Sequence, residues 1–192
     1  NTKIRKKFPR IKKNPNAMKV LFINFAAYFS KEIDSQERVL LEPPLGLIAL
    51  QTYLDKEYRE KINCKILKSR LDFNSYEEMI KVISNFRPDI IGISVMTFYK
   101  NFVHRAIKHI RDQKIKTPIF LGGPYPTGDF KNVLLDKNVD LCILGEGEIT
   151  LADLVGHMMN NNNQLPSYDC LKKIPGISFV EKISYKKIDY QN

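Results

Sequence analysis

Cysteine is scarce and scattered in this chain. Cys64, Cys142 and Cys170 are its only three, and no two stand at a Cys-x-x-Cys spacing. That excludes a disulfide framework and a structural zinc site, and it fits a reducing, cytoplasmic setting. Long apolar runs are missing as well. No stretch approaches the roughly 20 residues that span a bilayer, and no signal peptide is visible, so no membrane association is expected. Histidine is absent before His104, and His104, His109 and His157 all fall in segments that read as helices. His104 and His109 are half a turn out of alignment for joint metal binding, so all three read as ordinary helix residues. Acid is missing from the first 13 residues, which hold seven Lys/Arg and leave only +3 of the +10 net charge for the other 179. The basicity thus belongs to a flexible tail over residues 1–17. With no aromatic-interleaved basic face after it, no nucleic-acid role is expected.

What the chain does have is a regular alternation. Hydrophobic residues make up 43% of it, enough for a core. "MKVLFINFAAYF" opens with a strand over about 19–25, apolar without alternation, as when both faces are covered. "PPLGLIALQTYLDKEY" has a Pro-Pro lead-in and helical spacing from Leu45. "CKILKSRLD" is a less apolar strand and so nearer an edge. "SYEEMIKVISNF" starts a helix with Ser75 as N-cap and sets Tyr76, Met79, Ile80 and Ile83 on one face. "DIIGISVMT", "PIFLGG" and "VDLCILGEGE" are further strands, separated by the helix "NFVHRAIKHIRDQ" and a Pro-x-Pro-Thr turn. "ITLADLVGHMMN" is a helix with Leu151, Leu154, Val155 and Met158 inward. "NNNNQLP" reads as a break, and "GISFVEKISYKK" as two short strands. The expected fold is α/β, a doubly wound five-stranded parallel sheet, Rossmann-like or flavodoxin-like, with a short C-terminal β-hairpin extension.

Ligands of such sheets sit at the carboxyl ends of the strands. Here those ends read "NFAAYF", "SVMTF", "GGPYPT" and "GEGE", small, hydroxylic or glycine-rich tips that suit a slot for something large and flat. A nicotinamide site would want Gly-x-Gly-x-x-Gly after the first strand, where no glycine stands, and no Walker loop is present. A phosphoacceptor domain would need an Asp ending the third strand, which ends Ser94-Val95-Met96-Thr97. The two carboxylates of Gly145-Glu146-Gly147-Glu148 would repel phosphate. The adjacent Gly122 and Gly123 pack nothing, so they serve either a tight turn or a ligand lying against bare backbone. Ser94 and Thr97 read equally as strand-end caps, Met96 and Phe98 as core, and Glu146 and Glu148 as turn acids or caps of the helix at Ile149.

In order, "PPLGLIALQTYL", "PDIIGISVMT", "PIFLGGPYPT" and "VDLCILGEGEITLADLV", followed by "IPGISF", resemble the cobalamin-binding domain that precedes the radical S-adenosylmethionine domain of cobalamin-dependent radical enzymes. These include methyltransferases and the oxidative-cyclase type. The resemblance spans about residues 18–179. It implies a cobalamin-binding domain over 18–165 and a linker and hairpin over 166–192. It implies cobalamin as cofactor, with its nucleotide tail along Gly122 and Gly123. Ser94 and Thr97 would offer hydroxyls to the tail, and Met96 and Phe98 apolar contact. Tyr125, Pro126 and Thr127 would border it, and Gly145, Glu146 and Gly147 would form the other wall. Pro44, Leu45 and Gly46 would meet the corrin edge, with Asn24 and Phe25 beneath the ring.

The Asp-x-His-x-x-Gly of cobalamin domains with a histidine lower ligand is absent, as in the radical branch. The resemblance therefore implies no histidine on cobalt, no protein metal ligand and no catalytic residue in this chain. It places S-adenosylmethionine and an iron–sulfur cluster in a radical domain beyond Asn192, the implied partner. A domain that kept the fold, lost the cofactor and acts as a docking scaffold is the alternative, because Phe25, Tyr28, Phe29 and Tyr125 are bulky enough to fill the slot.

Overall fold

The computed structural model describes residues 14–26, 28, 29 and 43–181. The expected tail lies outside these residues as far as Lys13, as does the second strand of the C-terminal hairpin. The elements are β1 (Met18–Asn24), α1 (Leu45–Tyr58), β2 (Ile62–Lys68), α2 (Tyr76–Phe86), β3 (Ile90–Ser94), α3 (Lys100–Asp112), β4 (Ile119–Gly122), α4 (Pro124–Val133), β5 (Leu141–Ile143), α5 (Glu148–Met159), α6 (Tyr168–Leu171) and β6 (Ile177–Phe179). The sheet order is β2-β1-β3-β4-β5-β6. β1 to β5 are parallel, in keeping with the nearly unbroken apolar sequences of β1, β3, β4 and β5. β6 runs antiparallel to β5, with Cys142 opposite Ser178, and supplies the antiparallel extension. The less apolar β2 lies at an edge.

α1 and α5 cover one face of the sheet around Phe22, Leu54, Phe120, Leu151 and Leu154. α2, α3 and α4 cover the other around Phe25, Met79, Ile93, Ile107 and Val133. The chain leaves β1 in one direction for β2, then crosses back to β3 on its other side. The carboxyl edge between these diverging connections is where a doubly wound sheet opens.

Local signals account for the starts of α2 and α4. Ser75 Oγ accepts from the Glu78 amide at 3.1 Å, starting α2 where the sequence places it. Replacing it by alanine leaves that amide without its cap, and Ser75→Ala is expected to cost about 1 kcal/mol in urea unfolding, with an unchanged slope. The Pro-x-Pro-Thr segment, expected as a turn, is instead the first turn of α4. Pro124 takes the first helical position, where a fixed φ suits the helix and no amide is needed, and Gly123 at φ 96° makes the reversal from β4.

The segment after α5 completes the fold. Leu171 and Ile174 are buried against the α1/α5 layer. The Leu144 amide donates to the Gly176 carbonyl at 2.8 Å, and Thr150 Oγ1 donates to the Pro175 carbonyl at 2.9 Å. The bend between β5 and α5 is therefore tied on both sides to the strand that follows it. No helix among the described residues is long and apolar enough to cross a membrane.

Candidate functional site

A cleft of about 540 Å³ opens at the carboxyl edge of β3, β4 and β5 on the α1/α5 side. Its depth follows from register. Ser94 pairs with Gly122 and Gly92 with Phe120, and alternation along a strand puts all four on one face. Gly92 has no Cβ because the Phe120 ring occupies that space: an added Cβ would stand 2.2 Å from the ring's tip. The ring thus lies flat across β3 and makes the floor, with Ile143 beside it. One pleat further out, where the next large side chain would stand, the sheet carries Gly122. A Cβ there would meet only the Ile143 carbonyl, at 3.7 Å. Internal packing does not demand a glycine at that position, and its absence of side chain keeps the cleft open.

Two helix starts and the α4 turn supply the walls. Gly46, Leu47 and Leu50 come from α1, and Pro124, Thr127 and Gly128 from α4. Gly145, Glu146, Gly147 and Glu148 come from the bend into α5. Cβ atoms at Gly46 and Gly128 would meet nothing within 4 Å, so these walls too are bare without a packing reason. Neither α1 nor α5 has a side chain capping its N-terminus. The amides of Gly46, Leu47 and Glu148 therefore have no partner within their helices and stand at the cleft as donors. α4 differs: prolines at 124 and 126 remove two amides, and its wall is apolar. Among the described residues no lysine or arginine lines the cleft, so these residues do not mark it as a polyphosphate site. Thr127 Oγ1 accepts from the Gly145 amide at 3.0 Å, joining the α4 wall to the α5 wall.

Of the residues expected from the sequence, the cleft gathers Gly46, Ser94, Gly122, Gly123, Thr127, Gly145, Glu146 and Gly147. Six others flank it in sequence or in the sheet. Pro44 precedes α1, Leu45 is 70% exposed, and Met96, Thr97 and Phe98 are exposed in the turn after β3, Phe98 at 76%. Asn24 ends β1 opposite Ser94, next to the cleft strands. Phe25, Tyr125 and Pro126 are buried elsewhere. Phe25 packs edge-on against Phe73 and Phe102 in the α2/α3 layer. Tyr125 faces His104. Sequence reading missed the floor, Phe120 and Ile143, and the α1 contacts Leu47 and Leu50. Their sequence signal is that of ordinary core; only cross-strand register and the gap left by Gly122 set them apart.

The chain's histidines are all elsewhere. His104 pairs with Asp136, His109 stacks on Tyr76, and His157 lies 3.2 Å from Cys170. No cluster of three metal-ligating side chains occurs among the described residues. Burial pushes the thiols of Cys64 and Cys142 up to about 12, Asp55 adding to the effect at Cys64. Their ordinary value is 9.0, so the unfolded chain releases these protons first and stability falls as pH rises above about 9. At pH 8 iodoacetamide is expected to label half-exposed Cys170 alone, with Cys64 and Cys142 labelled only after unfolding, as read by intact mass and peptide mapping.

The residues present fit a large ligand that is rich in hydrogen-bond acceptors and carries little charge. The floor is apolar, glycines leave much of the walls as bare main chain, and two uncapped helix starts border the cleft. Comparison with known proteins agrees with the site's position. The model of the B12 binding domain matches residues 36–155. An uncharacterised methyltransferase from Pyrococcus horikoshii is 29% identical over 142 residues, 72% of this chain and 28% of that protein. The chain spans about a quarter of the length of this relative. Among solved structures, the radical S-adenosylmethionine methyltransferase TsrM from Kitasatospora setae, with cobalamin and a [4Fe-4S] cluster bound, superposes with a TM-score of 0.65 at 16% identity, over 86% of this chain and 29% of that one. The cobalamin-dependent radical enzyme OxsB, with aqua-cobalamin bound, gives 0.62 at 22% identity, over 86% and 21%. These likenesses establish the fold, and the match over 36–155, which runs from the approach to α1 into α5 and so takes in every wall of the cleft, establishes the family: this chain belongs to the B12-binding domains.

Proposed function

We propose that this chain holds cobalamin, with the nucleotide tail in the cleft along Gly122 and Gly123 and the corrin over the rim formed by Pro44, Leu45, Met96, Thr97 and Phe98. The observation that carries the reading is the unfilled position above Phe120, where Gly122 leaves a bare strand that the protein's own packing does not require. Apolar exposure at Leu45, Met96 and Phe98, clustered round one opening, supports it, since a flat ring would cover all three. Asn24 and Phe25 act from below, Asn24 at the end of its strand and Phe25 through the core. Tyr125 and Pro126 support the wall to which Thr127 belongs. Ser94 and Thr127 offer hydroxyls, and the free amides of α1 and α5 bind the acceptors of the ligand's amide groups.

When bound, cobalamin supplies a cobalt centre that carries a methyl group or changes oxidation state. The chain would position it and shield its tail from water, and the cleft's lining offers it no histidine. The chain serves as the cofactor module of a radical S-adenosylmethionine enzyme of methyltransferase type. S-adenosylmethionine and the iron–sulfur cluster belong to a separate domain of that enzyme. The aromatics that would make a scaffold of it do not occupy the cleft. Phe25 and Phe29 pack together with Phe73 and Phe102, and Tyr125 turns away.

Incubating the purified chain with hydroxocobalamin, desalting it and recording the visible spectrum tests the reading. Corrinoid absorption retained at one equivalent is the expected result. A colourless protein would leave the scaffold reading in its place.

A further inference from the structure

Behind the α4 wall, on the side of the sheet away from the floor, lies a line of polar side chains that the cleft does not use. His104 on α3 places Nδ1 2.6 Å from Asp136 Oδ2 and Nε2 3.4 Å from the Tyr125 hydroxyl. The other Asp136 oxygen accepts from the amide and the side-chain Nδ2 of Asn138, at 3.0 and 2.8 Å, so the carboxylate is fixed. A carboxylate only accepts, so Nδ1–H donates to Asp136. In the neutral imidazole Nε2 is then the acceptor for the Tyr125 hydroxyl. Tyr125 is 5% exposed, with its ring edge-on to the imidazole and Lys100 Nζ 5.1 Å from the ring centre. Burial, then Asp129, Cys142 and Asp136, raise its pKa and keep the hydroxyl protonated as a donor.

The turn that carries Tyr125 needs such a hold. α4 is broken at Asp129 (φ −148°, ψ 41°), whose carboxylate accepts from Asn132 Nδ2. Residues 124–128 are therefore a single turn cut off from the rest of the helix. Two of its five residues are prolines. Apart from bonds within the helix itself, Tyr125 N–H donates to the Val95 carbonyl at 3.1 Å and Thr127 N–H to the Gly123 carbonyl at 3.2 Å. This turn bears Pro124, Thr127 and Gly128 on the cleft, and Thr127 reaches across to the Gly145 amide.

We propose that Asp136, His104 and Tyr125 form a positioning chain that fixes the Pro124–Gly128 turn, and with it the Thr127–Gly145 clasp, so that it governs how long a corrinoid stays in the cleft. The last step rests on the reading of the cleft given above; the first does not. Tyr125 and Asp136 share no hydrogen bond with each other; the imidazole is the group that both contact.

The test uses the full chain, isotope-labelled and ligand-free, with hydrogen exchange followed at the Thr127 and Gly145 amides. Tyr125→Phe, which deletes one hydroxyl, and Asp136→Asn, which allows the other imidazole tautomer, are each expected to speed exchange there about five- to tenfold, with Leu154 in α5 unchanged. The double variant is expected to match either single one, because both break the same line. His104→Phe replaces Asp136→Asn in the cycle if the latter does not fold. Effects that multiply in the double variant, or exchange that stays at the parent rate, would overturn the chain. A second arm follows loss of hydroxocobalamin after dilution, expected to quicken by the same factor in Tyr125→Phe. Faster exchange with unaltered release would refute the link to retention. A parent chain that binds no corrinoid at all would refute the cofactor reading instead, while the exchange arm still judges the positioning chain.

Discussion

Gly122→Leu is expected to leave the fold intact and abolish corrinoid retention. The two halves of that result come from one observation. A Cβ at position 122 would make a single ordinary contact, 3.7 Å from the Ile143 carbonyl, and φ there is not in the left-handed region. Leucine therefore suits the strand, and glycine is entropically the poorer choice there. The thermal midpoint should stay within a few degrees of the parent or rise. Its branched carbons, however, would stand above Phe120 between the sheet and the first turn of α1, in the volume assigned to the nucleotide tail. A loss of affinity on the order of 100-fold is expected, the scale at which overpacking a close-fitting site is felt. Equilibrium titration with hydroxocobalamin, followed by absorbance, measures it. Unchanged binding by a folded Gly122→Leu chain would remove the account of the bare strand. Position 123 is the poorer test, because its φ of 96° would strain any side chain whatever the cleft holds.

The second large effect concerns stability. Gly92→Ala puts a methyl 2.2–2.9 Å from three atoms of the Phe120 ring, inside contact distance. The ring is 2% exposed, and Phe22 of β1 stands on the far side of Gly92, so the ring's freest direction is toward the cleft. The expected cost is about 2–3 kcal/mol, lowering the thermal midpoint by roughly 5–10 °C in a chain of this size. Phe120→Leu alone should also destabilise, by leaving a void under the cleft. Together the two should cost clearly less than their sum, because the smaller side chain makes room for the methyl. Additive losses in a denaturant double-mutant cycle would mean that the ring is not what position 92 accommodates. The same displacement narrows the cleft, so Gly92→Ala should also weaken corrinoid binding.

Both arguments turn on cross-strand register, and register marks where sequence reading stopped. The parallel sheet was legible because β1, β3 and β4 are apolar on consecutive residues, and α2 because Ser75 and the Met79/Ile83 stripe mark its start and inner face. Ser94, Gly122 and Gly145–Gly147 could be assigned to a common edge because strand ends in this topology converge, whereas Gly46, in the first turn of α1, was placed there by the family resemblance alone. Nothing local distinguished Phe120 from other core residues, since its role depends on a glycine 28 positions earlier. The first turn of α4 was hidden for a different reason. Pro124 and Pro126 look like turn residues, and the break at Asp129 leaves too short a helical pattern to detect. Phe25 and Tyr125 stand next to cleft residues in sequence, yet each points into the α2/α3/α4 layer, which adjacency cannot reveal.

The antiparallel edge strand has a mechanical corollary. Leu144 and Thr150 flank the Gly145–Gly147 bend, and both are fastened to Pro175–Gly176 just ahead of Ile177. A tug on the polypeptide following Phe179 would thus reach the Gly145–Gly147 jaw of the opening first, and through α5 the α1 helix packed beside it on the same face of the sheet.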